Sequence, residues 1–247
     1  MTDERANKPH EETMDTPGCG RPLEIGEPVP DFALTMVQPE ERPVSLADYR
    51  GKTALLLGLY RGVYCAFCRR TVARLGRIGD RLRPLGIETL AVIGTTLDNA
   101  RLYYRHHPTR MSIAVDPALI THRAYRLPRV EATWEVVSAK RVNTSGEHPE
   151  ALPLWEATKA LGRLDGFQPT ASDIDDGKRT WNQSVGEFLI DRDGIVRWLY
   201  MEGATAADYN AKFSSEEQLL SATHALPPAP RGRLSIDTRE TGGRASR

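Results

Sequence analysis

The sequence predicts an α/β protein with a central, mostly parallel sheet and an insertion placed before a closing β-hairpin. Three observations lead there. The runs Ala54–Tyr60 and Ile87–Ile93 are almost wholly apolar, as strands buried on both faces are. Segments of helical period lie between and after them, which calls for crossover connections and parallel pairing. A Cys-x-x-Cys pair, Cys65 and Cys68, stands where the first of these strands gives way to its helix.

Taken in order, residues 1–22 are polar and charged and carry Pro17, Gly18, Gly20 and Pro22, which predicts a flexible N-terminal arm. Cys19 lies in it, either as an incidental exposed thiol or as a resolving cysteine that reaches Cys65 or Cys68. One domain is expected over residues 23–226. It opens on an extended, proline-punctuated lead-in, Ile25–Leu34, in which Phe32 and Leu34 alternate as in a strand. Val44–Lys52 reads as a short helical turn closed by Gly51. After Ala54–Tyr60 comes the cysteine helix. Cys68, Val72, Leu75, Ile78, Leu82 and Leu85 recur at three or four and form one apolar stripe, with the arginines mostly off it, and Pro84 and Gly86 end it.

Beyond Ile87–Ile93, Thr96 caps a helix from Leu97 to about His107, stopped by Pro108. Met111–Val115 is a short strand, and Asp116-Pro117 opens a helix to about Arg126. Residues 128–182 break this rhythm and are read as the insertion: they hold Trp134, Trp155 and Trp181, a helix near Leu154–Leu164 and a polar stretch around Asp173–Lys178. Val185–Ile190 resumes as a strand, turns at Asp191–Gly194 and pairs back through Ile195–Tyr200. The Asp-x-Asp-Gly of that turn lacks the rest of a calcium loop. Ser214 or Ser215 caps a last helix ending near Ala225, and residues 227–247 read as a disordered tail.

Composition excludes several classes. The chain has 247 residues with 33 basic and 33 acidic side chains, so no global charge points to nucleic acid or a membrane surface. No apolar run is long enough to span a bilayer, and the N-terminus shows no apolar signal core. Three cysteines make no disulfide framework and suit a reducing, cytoplasmic setting, where paired cysteines more often do chemistry.

The chemistry follows from place. A thiolate is the reactive form, and a helix N-terminus favours it through unpaired N–H groups and the positive dipole end. Arg69 and Arg70 add charge beside Cys65 and Cys68, and sulfurs three residues apart can bridge. A zinc site would need two more ligands, and neither a second Cys-x-x-Cys nor a His-x-x-x-His exists.

Several stretches resemble one family. Gly26–Leu34 is similar to the Gly-x-x-Ala-Pro-Asp-Phe-x-Leu lead-in of the peroxiredoxin branch of thioredoxin-fold proteins, the alkyl hydroperoxide reductase/thiol-specific antioxidant group. Val44–Asp48 with Gly51-Lys52, Ala91–Asn99 and Phe188–Arg197 resemble its later signatures. The resemblance covers roughly residues 24–127 and 184–201. It implies a thioredoxin-like three-layer α/β/α sandwich with a central mixed sheet. The active-site motif departs from the family's Pro-x-x-x-Thr-x-x-Cys: the proline position is Arg61, the threonine position Cys65 and the peroxidatic position Cys68. The family's arginine before the closing strand falls on Val185, and the cis-proline of thioredoxins is missing at Val185-Gly186. Residues 61–69 instead resemble the Arg-Gly-x-aromatic-Cys-x-x-Cys-Arg motif of a subgroup of peroxiredoxin-like proteins.

The resemblance implies a thiol-dependent peroxidase that needs no cofactor. Cys68 would attack the peroxide, Cys65 would resolve the sulfenic acid as a disulfide, and Arg61 or Arg69 would stabilise the developing charge. An external thiol reductant, a thioredoxin-type protein or a small thiol, would restore the pair, and a homodimer is a family expectation. A second reading is a thiol–disulfide oxidoreductase with Cys65 as nucleophile. A third is a non-enzymatic redox sensor or partner-binding protein on the same fold. Its partner binding would survive the loss of both cysteines.

Overall fold

The computed structural model describes residues 21–38, 43–144, 146, 148–203, 205–210 and 213–227. Residues 1–20 of the N-terminal arm, Cys19 among them, and the tail after residue 227 lie outside them. The strands are β1 (Ala33–Met36), β2 (Pro43–Ser45), β3 (Ala54–Tyr60), β4 (Ile87–Ile93), β5 (Ser112–Val115), β6 (Arg141–Val142), β7 (Leu152–Pro153), β8 (Gly186–Ile190) and β9 (Val196–Met201). The helices are α1 (Ala66–Leu82), α2 (Leu97–His106), α3 (Ile120–Ala124), α4 (Trp134–Ala139), α5 (Leu154–Leu164), α6 (Ala171–Thr180) and α7 (Glu216–Ala222). Seven strands form one mixed sheet in the order β2-β1-β5-β4-β3-β8-β9, while β6 and β7 pair separately.

The sheet follows from the apolar runs. β3 pairs in parallel with β4 and β4 with β5, while β8 runs antiparallel to β3 and hairpins into β9. All seven residues of β3 are buried, and their alternation divides them between two cores. Leu55, Leu57 and Leu59 join Leu90, Val92 and Phe188 on one face. Leu56 and Tyr60 join Val72, Leu75 and Ile78 of α1 on the other. The first face is closed by the lead-in and by Tyr125 and Leu127 after α3; the second is covered by α1, α5 and α7. Each fully buried leucine contributes about 1.5–3 kcal/mol, which offsets the polar burial described below at the end of the same strand.

The structure amends four local expectations. Leu85, expected on the α1 stripe, is exposed, because the helix tightens into a 3-10 turn over Arg83–Leu85 and Gly86 leaves it with φ 74. Val44–Lys52 begins as strand β2 before its single helical turn. The helix expected from Asp116 starts only at Ile120, since Leu119 takes a left-handed conformation and the Asp116 carboxylate accepts the Thr121 N–H at 2.6 Å. The polar stretch Asp173–Lys178 is helical and belongs to α6. Thr170 and Asp173 form a capping box at its start, and Asp173 and Asp176 are buried. These two carboxylates accept from Asn99, and Asp176 also from Thr95. The clasp ties α6 to the start of α2.

Candidate active site

Tyr60 ends β3, residues 61–64 turn, and Cys65 becomes the N-cap of α1. Its backbone is extended (φ −76, ψ 106), and its sulfur accepts the Cys68 N–H at 3.2 Å. A cysteine therefore fills the place a serine or aspartate usually takes. Cys68 stands one turn in. Both thiols are free, with Cys65 6% and Cys68 1% exposed.

The two sulfurs differ. Burial opposes ionisation of Cys65, but the Cys68 thiol and N–H donate to it and Arg61 and Arg69 lend positive charge. Its pKa comes down to about 7. Burial pushes Cys68 up, and its hydrogen bond to the Cys65 sulfur and the charge there push it further. Of the two, Cys65 is therefore the one that ionises near neutral pH, while Cys68 keeps its proton.

Both arginines singled out in the sequence adjoin the pair and are heavily engaged. Arg61 is fully buried, forms an ion pair with the equally buried Glu202, donates to Asn210 Oδ1 at 3.2 Å and stacks on the Tyr209 ring, 4.0 Å from its centroid. Glu202 also accepts the N–H groups of Val185 and Asn210. Arg69 was expected off the buried stripe, yet it is only 6% exposed. It donates to the Val63 and Tyr64 carbonyls at 2.8 and 3.2 Å, reaches Asp165 at 3.3 Å and lies over Phe167. Asp165 caps the end of α5, so Arg69 fastens the turn before Cys65 to the segment expected as an insertion.

That segment shapes access to the sulfur. A cavity of about 460 Å³ opens onto Cys65, walled by Tyr64, Phe67, Trp134, Leu154, Trp181 and Tyr209. Trp134 and Trp181 meet edge to face with centroids 5.5 Å apart. The Tyr64 hydroxyl lies 3.0 Å from that of Thr180, joining the cysteine turn to α6. At the end of β3, Gly186 pairs with Leu59. The preceding Val185 has its N–H taken by the Glu202 side chain and its carbonyl by the Glu202 N–H, at 3.2 and 2.9 Å. Among the described residues, no group of three or more His, Cys, Asp or Glu is arranged to hold a metal ion. No helix among them is long and apolar enough to cross a membrane.

Sequence reasoning found both cysteines and both arginines. It assigned no role to Tyr64, Tyr209, Glu187 or Glu202. A signal existed for Glu187, a lone acid inside an otherwise apolar strand.

The sheet order and the paired cysteines at the start of α1 define a thioredoxin-like thiol oxidoreductase. Within that class the chain belongs to the AhpC/TSA family, whose sequence profile matches residues 25–199. The fold is similar to that of a 2-Cys peroxiredoxin from Plasmodium vivax, at 14% identity and TM-score 0.52, covering 81% of each chain. It is also similar to the peroxidoxin BcpB from Mycobacterium tuberculosis, at 10% identity and TM-score 0.51, covering 82% of this chain and 96% of that one. No curated protein matches the sequence.

Proposed function

We propose that the protein is a thiol-dependent peroxidase for organic hydroperoxides, with Cys65 as the attacking thiolate and Cys68 as the resolving thiol. The observation that carries this is the activated Cys65 sulfur at an apolar cavity of small-molecule size. A polypeptide disulfide is commonly held by pairing its backbone with a free strand edge. Here the Val185 backbone beside the site is already paired, which favours a small substrate.

The Cys65 thiolate attacks the outer oxygen of the O–O bond. The S–O bond forms, the O–O bond breaks, and the alkoxide leaves and takes a proton from water. Cys65 is then a sulfenic acid. Cys68 attacks that sulfur, an S–S bond replaces S–O, and the oxygen leaves as water. An external dithiol or two thiols reduce the disulfide. Arg61 and Arg69 act through their field on the Cys65 charge, since their guanidinium groups are held by Glu202, Asn210, Asp165 and backbone carbonyls. The order of attack is the reverse of the family assignment, and it is supported by Cys65, not Cys68, lining the cavity.

A second reading, thiol–disulfide exchange through Cys65, draws on the same low pKa and buried partner. Sulfenic-acid trapping separates the two. In a Cys68→Ser protein, cumene hydroperoxide should place a sulfenic acid on Cys65, seen by mass spectrometry with one equivalent of peroxide consumed. Absence of that adduct, with ready reduction of disulfides by the wild type, would move the assignment to the second reading.

A further inference from the structure

The cavity at Cys65 is the inner half of a longer groove. A second cavity, of about 430 Å³, lies beside it, and Tyr64, Thr158 and Gly177 border both. We propose that this groove receives a long-chain carboxylic acid, with the carboxylate at Lys159 and Arg163 and the chain running in to Cys65. The substrate is then a fatty-acid hydroperoxide oxidised in mid-chain. This assignment rests on the peroxidase reading above.

Two helices make the groove. On α5, Leu154, Thr158 and Gly162 follow at four-residue steps and so share a face. Leu154 borders the inner cavity, Thr158 both, and Gly162 and Arg163 the outer one. On α6 and its cap, Trp181 borders the inner cavity, Gly177 both, and Ile174 the outer one. The helices therefore run in opposite directions along the groove, and the Tyr64 ring of the cysteine turn lies between them. At about 1.5 Å per residue, Leu154 to Arg163 spans roughly 13 Å, the length of an extended chain rather than of a small peroxide. The waist is kept open. At Gly177 an added Cβ would rest 3.6 Å from the Tyr64 ring, and at Gly162 the nearest atom would be 3.9 Å away. Neither glycine avoids a clash. A glycine inside a helix is unfavourable, and here what it provides is room.

The two ends differ in polarity. Aromatic rings wall the inner cavity, and Lys178 at its border is paired with Asp175 at 3.1 Å. The outer cavity carries Lys159 and Arg163, both exposed. The Lys159 ammonium rests 4.2 Å from the centre of the Trp155 ring. Among the described residues no carboxylate pairs with either side chain. The other charged groups of that cavity are engaged: Asp173 accepts from Asn99 and Thr170, and Arg69 donates to Asp165 and the Val63 carbonyl. An ammonium and a guanidinium left open at the end of an apolar passage match one carboxylate, whose two oxygens suit the guanidinium fork. The chemistry at sulfur keeps its balance: the S–O bond forms, the O–O bond breaks, and the chain leaves as the hydroxy acid after taking a proton from water.

The test separates the groove from the reaction. Reduced Cys19→Ser protein is assayed with linoleic acid hydroperoxide, its methyl ester and cumene hydroperoxide, below the concentrations at which the lipids aggregate. The acid should show a KM roughly tenfold below that of the ester, the scale of two exposed ion pairs. Lys159→Gln combined with Arg163→Gln should abolish that difference by raising the KM of the acid. Gly162→Leu fills the outer cavity with a good helix former and should raise the KM of acid and ester together. Equal handling of acid and ester by the unsubstituted groove, or a preference that survives the double substitution, would overturn the proposal. Binding is read without peroxide as well. Myristate should protect Cys65 from iodoacetamide, and the concentration needed should rise roughly tenfold in the double variant. If no peroxide is consumed, cumene hydroperoxide included, the peroxidase reading fails. Myristate protection that depends on the two cations would still place the acid in the groove, and absence of protection would remove it.

Discussion

The sulfur of Cys65 accepts the backbone N–H of Cys68 at 3.2 Å, so one member of the redox pair caps the helix that carries the other. A disulfide sulfur is a weaker acceptor than a thiolate, so oxidation should weaken the cap of α1.

Alkylation should read this coupling directly. In a Cys19→Ser protein the rate with iodoacetamide should be half-maximal near pH 7, following Cys65, whose pKa lies at about 7. Replacing Cys68 by alanine removes the thiol donor and should move that midpoint up. An unchanged midpoint would mean that Cys68 contributes only its backbone.

The buried pair of Arg61 and Glu202 makes a second prediction. Arg61→Met strands a carboxylate of which the side chain is 1% exposed, and should cost about 3–5 kcal/mol in urea unfolding. Arg61→Met combined with Glu202→Gln should recover much of that loss. It should still leave Cys65 with a higher pKa than in the wild type, because the positive field is gone.

Trp181 should set substrate size. Its ring forms part of the cavity wall against Trp134. Trp181→Ala should raise the KM for cumene hydroperoxide roughly tenfold, the scale of lost apolar contact, while turnover of hydrogen peroxide stays within about twofold. Equal effects on both peroxides would place the substrate elsewhere.

His122 should make stability fall in acid. Burial lowers its pKa to about 4, against the opposing pull of Asp116 and the Tyr60 carbonyl. Below its unfolded value of about 6.5 the unfolded chain binds a proton that the folded chain refuses. Stability therefore drops as pH falls from about 6.5 to about 4 and levels off below, by on the order of 3 kcal/mol for this group. Thermal unfolding of wild type and His122→Gln across that window should differ in slope.

The long apolar runs and the helix stripe were readable because their burial is one-dimensional: β3, β4, α1 and the β8–β9 hairpin sit where run length and period place them. In the segment after Pro128 the helix expected near Leu154–Leu164 is α5, while the rest was opaque for a physical reason. Its helices are short, and α6 buries aspartates rather than leucines on the face that meets α2. A buried Asp173 looks the same in sequence as a solvated one until Asn99 is seen beside it. Arg61 shows the converse. It was found as a charge near the cysteines, but its commitment to Glu202 runs 141 residues along the chain, beyond any local pattern.

The clasp of Thr95 and Asn99 on Asp173 and Asp176 holds one face of α6, while residues at and just after the other face and end of that helix enclose Cys65. A molecule that fits the aromatic cavity meets the sulfur without disturbing the clasp. Breaking buried polar contacts is costly, so the wall that α6 gives the cavity should open rarely, and a bulky thiol should reduce a Cys65–Cys68 disulfide more slowly than a small one.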